Sequence, residues 1–277
     1  MIGGIYALMA VGLTMIFGIL NVVNFAHGEL YMLGAYATLL LVTVVKLPVA
    51  VAIIGAVAIS AVFGLLIERA IFRPIRLAPP LNAIIASMGL SYLLSDSARI
   101  AFTPVPQMMP AAISGVLNVG GVLVSYQRIL VLVVAMVLIA ALTLFVRYSW
   151  IGIAMRCVAQ DMVAARLMGI SLNRVAATTM AISAGLAAAA GGLIGPLFVV
   201  EPNMGVSLLL KAFAVVILGG VGNVAGAIAA GLLLGVTESL AAGFIATGLK
   251  DLVAFVILIL VLVVRPTGLL GRTSLND

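Results

Sequence analysis

Charge is the scarcest commodity in this chain. Only 8% of its 277 residues are Asp, Glu, Lys or Arg, against 65% that are hydrophobic, where an ordinary soluble domain carries about 25% charged residues. A soluble globule cannot hide that much apolar surface, because its exterior needs polar cover. The scarcity therefore excludes a water-soluble enzyme and a disordered tail. A single cysteine, Cys157, excludes an intrachain disulfide. A single histidine, His27, beside Glu29 makes no metal site by itself, since a closed site needs three or four ligands. The sequence has no GxSxG nucleophile motif, and Asp96 has no acidic neighbour in sequence. Nor is there a phosphate-cradling loop. The nearest stretch, GFIATGLKD (243–251), keeps the Gly243 to Gly248 spacing but places Leu249 before Lys250 and Asp251 where a hydroxyl belongs. Any ATP-driven work would fall to a partner, and no cofactor is called for.

What is present is a series of long apolar blocks. A helix needs about 20 residues to cross the hydrocarbon, and blocks near 2–20, 30–45, 48–67, 82–101, 129–146, 176–199, 207–221, 224–243 and 251–264 approach that length. Runs such as LVAFVILILVLVV (252–264) do not alternate as the strands of a lipid-facing barrel must. The fold class is therefore all-α, a polytopic membrane bundle of eight or nine apolar segments forming one transmembrane domain over 1–277. The short block 207–221 contains Lys211, so it and 224–243 can also be read as a re-entrant hairpin. No charge precedes Glu29, so the amino terminus lacks the basic region of a signal peptide. Its first block reads as a retained span that begins abruptly at Met1.

The net charge of +6 would point to nucleic acid in a soluble protein; here it reports orientation, and no nucleic-acid partner is expected. Nine of the 14 basic residues lie in three segments, 68–76, 147–174 and the tail after 264. Counting spans puts all three on one face, and the positive-inside rule makes that face cytoplasmic. The opposite face receives Lys46, the 102–127 loop and the 201–206 turn. Within that loop, residues 115–125 predict a short hairpin or a surface helix.

Three groups of residues invite a functional reading. Asn21, Asn24, His27 and Glu29 break the apolar sequence after the first block. They are either elements of a gate, since polar groups at membrane depth face a cavity or a protein interior, or a solvated cytoplasmic turn, which the residues alone favour. ILNVVNFAHG (19–28) is echoed by ILGGVGNVAG (217–226), which contains Gly222 and Asn223. Paired breaks of this kind can mark a pathway built from repeats, or can be two similar turns. Lys211 and Glu238 are the charges placed inside apolar blocks. They can neutralise each other, or Lys211 can snorkel to the interface, the cheaper reading for it, whereas the shorter Glu238 calls for a buried partner. Finally, RCVAQDMVAARLMGISLNR (156–174) predicts a short amphipathic helix stopped by Gly169. Its polar residues include Arg156, Gln160, Asp161 and Arg166. It either docks into a groove on a cytoplasmic partner or rests on the lipid surface.

GIYALMAVGLTMIFGILNVVNFAHGELYMLGAY (4–36), AARLMGIS (164–171) and AVVILGGVGNVAGAIAAGLLLG (214–235) resemble the permease subunits of branched-chain amino acid ABC importers, the LivH type. The resemblance runs along essentially the whole chain; urea and short-amide permeases share much of the pattern. It implies a second related permease, two cytoplasmic ABC ATPase subunits, an extracytoplasmic substrate-binding protein and a bilayer of the bacterial inner membrane. It also implies that 147–175 is the coupling loop to the ATPases and that 21–29 belongs to the pathway. Family members usually begin earlier, so the first span is expected to be shortened here. The competing class is an autonomous secondary transporter or channel, for which Glu238 would be the thin candidate for ion coupling.

Overall fold

The computed structural model describes residues 1–76, 78–113, 115–119, 122–244, 248, 250–265 and 268–270. The apolar blocks become α1 (Ile2–Leu20), α2 (His27–Thr43), α3 (Val49–Ile67), α5 (Pro80–Phe102), α6 (Tyr126–Tyr148), α9 (Leu172–Ile194), α10 (Met204–Gly219), α11 (Val224–Phe244) and α12 (Lys250–Val264). The sequence places the sixth block at 176–199; the helix starts four residues earlier and stops five earlier, with a turn after Gly195. α3 does not stop at Ile67. A π-helical turn over Glu68–Phe72 and the one-turn helix α4 (Arg73–Ile75) prolong it, giving an apolar helix of 27 residues.

Helix ends follow local chemistry. α1 ends where Asn21 adopts a left-handed backbone at φ 53°, a conformation that Asn tolerates better than most residues. Pro79 and Pro80 open α5, where a missing N–H costs nothing. Between α6 and α9 lie two short helices, α7 (Trp150–Gln160) and α8 (Met162–Leu167). Ser149 caps α7, accepting from Gly152 N at 2.9 Å, and Asp161 caps α8, accepting from the N–H groups of Val163 and Ala164 at 2.8 and 2.9 Å.

Among the described residues, five helices are both long and apolar enough to cross a membrane, namely α1, α3 with its extension, α6, α9 and α11. They divide by burial. The best windows of α1 and α9 are 83% and 78% buried, those of the extended α3 and α6 only 28% and 22%. α1 and α9 therefore form the core, and apolar faces of α3 and α6 look outward, as lipid-facing helices do. Small residues allow the inner helices to approach closely. A β-carbon at Gly235 would fall 2.2 Å from Gly3 Cα, and one at Gly34 would fall 2.2 Å from Ala188 Cα. α1 and α11 are antiparallel: Gly3 lies against Gly231 and Leu232, while Gly18 lies against Gly222.

The arginine-bearing segments converge on one end of the bundle. Arg76 donates to Glu68 and, at 2.9 Å, to Asn173 at the start of α9. Arg156 donates to the Arg147 carbonyl at 3.0 Å. The tail reaches the α10–α11 turn, where Asn223 donates to the Leu270 carbonyl at 2.7 Å. Arg272 lies outside the described residues. At the opposite end, β1 (Val116–Val119) and β2 (Val122–Ser125) form an antiparallel hairpin, so the hairpin alternative holds; its turn residues Gly120 and Gly121 lie outside the described residues. Gln107 and Val200 exchange backbone hydrogen bonds and tie this loop to the α9–α10 connection.

Candidate functional site

The polar break after α1 is not a solvated turn. Asn24, His27 and Glu29 are all buried, and only Asn21 is exposed. His27 Nε2 lies 3.2 Å from the Met9 carbonyl. Met9 is 11 residues before the end of α1, about 16 Å back along its axis. The chain thus leaves α1 at the arginine-rich end and climbs back into the bundle before α2 begins. α5 shows the same ascent from its other side. Ser87 Oγ donates to the Val23 carbonyl at 3.3 Å, and Ser91 Oγ to Glu29 Oε1 at 3.1 Å. Tyr36 stacks on Phe102, the last residue of α5, with ring centroids 4.3 Å apart. Residues 21–43 therefore run alongside α5 as an extended strap followed by a helix. Sequence polarity reads as solvent contact here because nothing local reports that the chain folds back.

Several polar atoms in this region have no hydrogen-bond partner among the described residues: Asn24 Nδ2, His27 Nδ1, Glu29 Oε2, Tyr36 Oη and Thr14 Oγ1. Native interiors hold few such groups. Gly12 admits His27, since a β-carbon there would meet the imidazole at 3.1 Å, and Ser183 Oγ of α9 donates to the Gly12 carbonyl at 2.7 Å.

Gly222 and Asn223 sit elsewhere. Gly222 has φ +79° in the exposed α10–α11 turn, and Asn223 Oδ1 accepts from Gly226 N at 2.9 Å at the start of α11. The second break meets the last turn of α1, just before the first, through Gly222 and Gly18, at the arginine-rich end and not around His27 and Glu29. The six residues grouped by sequence thus divide into a buried set (Asn24, His27, Glu29) and a set at the bundle's edge (Asn21, Gly222, Asn223).

Lys211 and Glu238 pair directly, Nζ to Oε1 at 2.6 Å, with Glu238 buried. Of the two sequence alternatives, mutual neutralisation holds and snorkelling does not. Tyr6 on α1, absent from the candidates, is the third member. Its hydroxyl donates to Glu238 Oε2 at 2.5 Å and accepts from Lys211 at 3.0 Å. The triad joins α1, α10 and α11. The signal that could have found Tyr6 is its hydroxyl inside the first apolar block.

The amphipathic stretch 156–169 is two helices, not one. Asp161 breaks it by capping α8, and Gly169, at φ +82°, ends it as expected. α7 buries Gly152, Met155 and Val158, and α8 buries Ala165. Arg156, Gln160, Asp161 and Arg166 are exposed. So are Val163, Leu167 and Met168, the last two at 84% and 82%. A crevice between the end of α1 and this loop is lined by Ile19, Leu20, Arg76, Val158, Met162 and Leu172. Burial pulls Arg76 below the usual guanidinium range, with Glu68 opposing the shift. No group of three or more potential metal ligands occurs among the described residues.

Comparison with known proteins gives the arrangement a family. The chain is 38% identical over 99% of its length to the high-affinity branched-chain amino acid transport system permease protein LivH of Salmonella typhimurium, covering 94% of that protein. It is equally similar, with the same coverage, to the permease protein BraD of Pseudomonas aeruginosa. It is 25% identical over 95% of its length to a probable LivH permease of Methanocaldococcus jannaschii, covering 88% of that chain. No solved structure matches it significantly. The family model described as branched-chain amino acid transport system / permease component matches residues 1–262, and the chain belongs to that family as a multi-pass membrane protein.

Proposed function

We propose that the chain forms half of the translocation pathway of an ABC importer for branched-chain amino acids in the bacterial inner membrane. A second, related permease completes the pathway. Two ABC ATPase subunits engage the arginine-rich end, and an extracytoplasmic binding protein delivers substrate at the opposite end. Support for the substrate comes from the relatives at 38% identity, which are branched-chain amino acid transport permeases by name. Support for the coupling comes from one structural observation. The α7–α8 loop holds an apolar rim of Val163, Leu167 and Met168 in the open at the arginine-rich end, beside exposed Arg156, Gln160, Asp161 and Arg166. Apolar tips amid charge suit a groove on a protein partner. The buried face of α7 packs on α1 and α9, the core helices. A push on the loop therefore reaches the centre of the bundle as a rigid-body shift.

The decisive experiment is reconstitution with the partner permease, ATPases and loaded binding protein. ATP-dependent leucine uptake is expected, with none from the chain alone. Uptake of urea in place of leucine would favour the amide-permease reading, and accumulation without any ATPase would favour an autonomous transporter. Gly169→Val forces a β-branched residue to φ +82°, a strain of about 1–3 kcal/mol at the joint between α8 and α9. Gly169→Val and Arg166→Glu are each expected to lower uptake per ATP hydrolysed about tenfold. Assembly at normal levels with undiminished uptake in both variants would remove the coupling role.

A further inference from the structure

α5 meets the bundle along a stripe of polar side chains. Its exposed surface is apolar, with Leu81, Ile85, Tyr92, Leu93 and Ile100 all more than half accessible. Beside the buried Ala83, Leu90, Leu94 and Ala98, its attachment includes a polar contact about once per turn. Ser87 shares its hydroxyl between the Ile84 carbonyl of its own helix at 2.9 Å and the Val23 carbonyl at 3.3 Å, Ser91 bonds Glu29, Ser95 bonds the Pro202 carbonyl at 3.4 Å, and Arg99 bonds Asn203 Oδ1 at 2.7 Å. The spacing i, i+4, i+8, i+12 lays these groups along one stripe. The single hydroxyl bonds to backbone and carboxylate along this seam can exchange partners with a polar solute.

Midway along the seam Glu29 is 1% exposed, and only one of its carboxylate oxygens is bonded; Oε2 has no partner among the described residues. Further along, the buried Tyr36 hydroxyl is likewise without a partner on the ring that stacks against α5. A half-bonded carboxylate inside a membrane bundle is expensive unless something cationic visits it. The geometry points to the α2–α5 seam as a segment of the substrate route, in which α5 moves away from α2 and Glu29 receives the α-ammonium group of the amino acid. This rests on the amino-acid reading above and adds the group that recognises the cargo's positive end. The carboxylate faces a primary ammonium, so a solute without one gains nothing from Glu29.

The test uses the complete reconstituted importer, with Cys157→Ser as background. Leucine uptake by the unsubstituted complex is the control for the substrate reading. Given that uptake, Glu29→Gln is expected to reduce it about tenfold or more, while Glu29→Asp, which keeps the charge, stays within about threefold of the parent. Ser91→Ala removes the bond to α5 but leaves the carboxylate, and is also expected within about threefold. The second readout does not depend on turnover. Ser91→Cys during ATP cycling is expected to react about tenfold faster with an ammonium-bearing methanethiosulfonate than with a sulfonate-bearing one, a preference that Glu29→Gln abolishes. Leucine-loaded binding protein should slow the reaction. The inference is overturned if leucine uptake is present but Glu29→Gln leaves it intact. It is equally overturned if Ser91→Ala matches the loss in Glu29→Gln, or if Ser91→Cys shows no charge preference. Absence of leucine uptake in the parent complex would instead overturn the substrate reading.

Discussion

Among single residues, the Tyr6–Lys211–Glu238 triad best shows how charge is tolerated in this bundle. Lys211 and Glu238 lie 27 positions apart on the antiparallel pair α10 and α11, and meet because the turn at Gly220 to Asn223 folds one helix back on the other. Each carboxylate oxygen has a donor, and Lys211 also sits 5.4 Å from the centroid of the Tyr6 ring. The side chains are 13% and 3% exposed, so solvent screens the pair weakly. Removing one partner leaves an uncompensated buried charge, which costs about 3–5 kcal/mol. Replacing both by apolar residues removes the attraction and the desolvation cost together. Lys211→Met alone is therefore expected to lower the thermal midpoint of the assembled importer clearly. The double variant Lys211→Met, Glu238→Leu should recover most of the loss. Unfolding followed by fluorescence in detergent checks this, and an equal loss in single and double variants would mean that the triad contributes no pairwise energy.

At the scale of helices, the core depends on absent side chains. α2 crosses α9 so closely that a β-carbon at Gly34 would lie 2.2 Å from Ala188 Cα, and one at Gly191 would lie 2.1 Å from the Tyr31 carbonyl oxygen. No rotamer change relieves a clash with backbone. Gly34→Ala must separate the helices and is expected to cost about 1–3 kcal/mol, read as reduced thermal stability and reduced membrane accumulation. Gly89 on α5 is the control. A β-carbon there meets nothing within 4 Å, so Gly89→Ala should be neutral or stabilising by up to about 1 kcal/mol. Equal effects at both positions would refute the close-packing argument.

Helices and seams also differ in how legible they are from sequence. Hydropathy exposes the long blocks because the bilayer imposes length and apolarity locally, and the helices formed within a few residues of the places expected. Asn24, His27 and Glu29 stood out by polarity, yet their burial did not, because it depends on α1, α5 and α9 arriving from elsewhere in the chain. The break at Asp161 was hidden for a subtler reason. An Asp in an amphipathic stretch reads as one more polar-face residue, and only its accepted N–H bonds reveal a cap. Ser87, Ser91, Ser95 and Arg99 carry a readable signal, a polar residue at every fourth position of an apolar helix.

For the molecule as a whole, the question is which end faces the cytoplasm. Arg69, Arg73, Arg76, Arg147, Arg156, Arg166, Arg174 and Arg265 belong to segments that gather where α1 ends. The strap at 21–26 does not disturb the span count. It and α2 together make the single return passage that a full-length helix would make, so parity is preserved and the arginine cluster stays on one face. The positive-inside rule then directs that face inward, which is also where ATP is available to a coupled partner. The loop after α5 faces outward by the same count. Two exposed methionines report the two faces: Met168 just after α8, 82% accessible, and Met108 in the opposite loop, 84% accessible. In a Cys157→Ser background, a membrane-impermeant thiol reagent added to spheroplasts should label Met108→Cys and spare Met168→Cys; inside-out vesicles should give the reverse. Labelling should be measured without the binding protein, which would cover the outer loop, and with the ATPases stripped, since they would cover Met168. The opposite pattern would place the arginine cluster outside. The apolar rim of α8 would then have no ATPase to meet, and the coupling role of α7 and α8 would fall with the orientation.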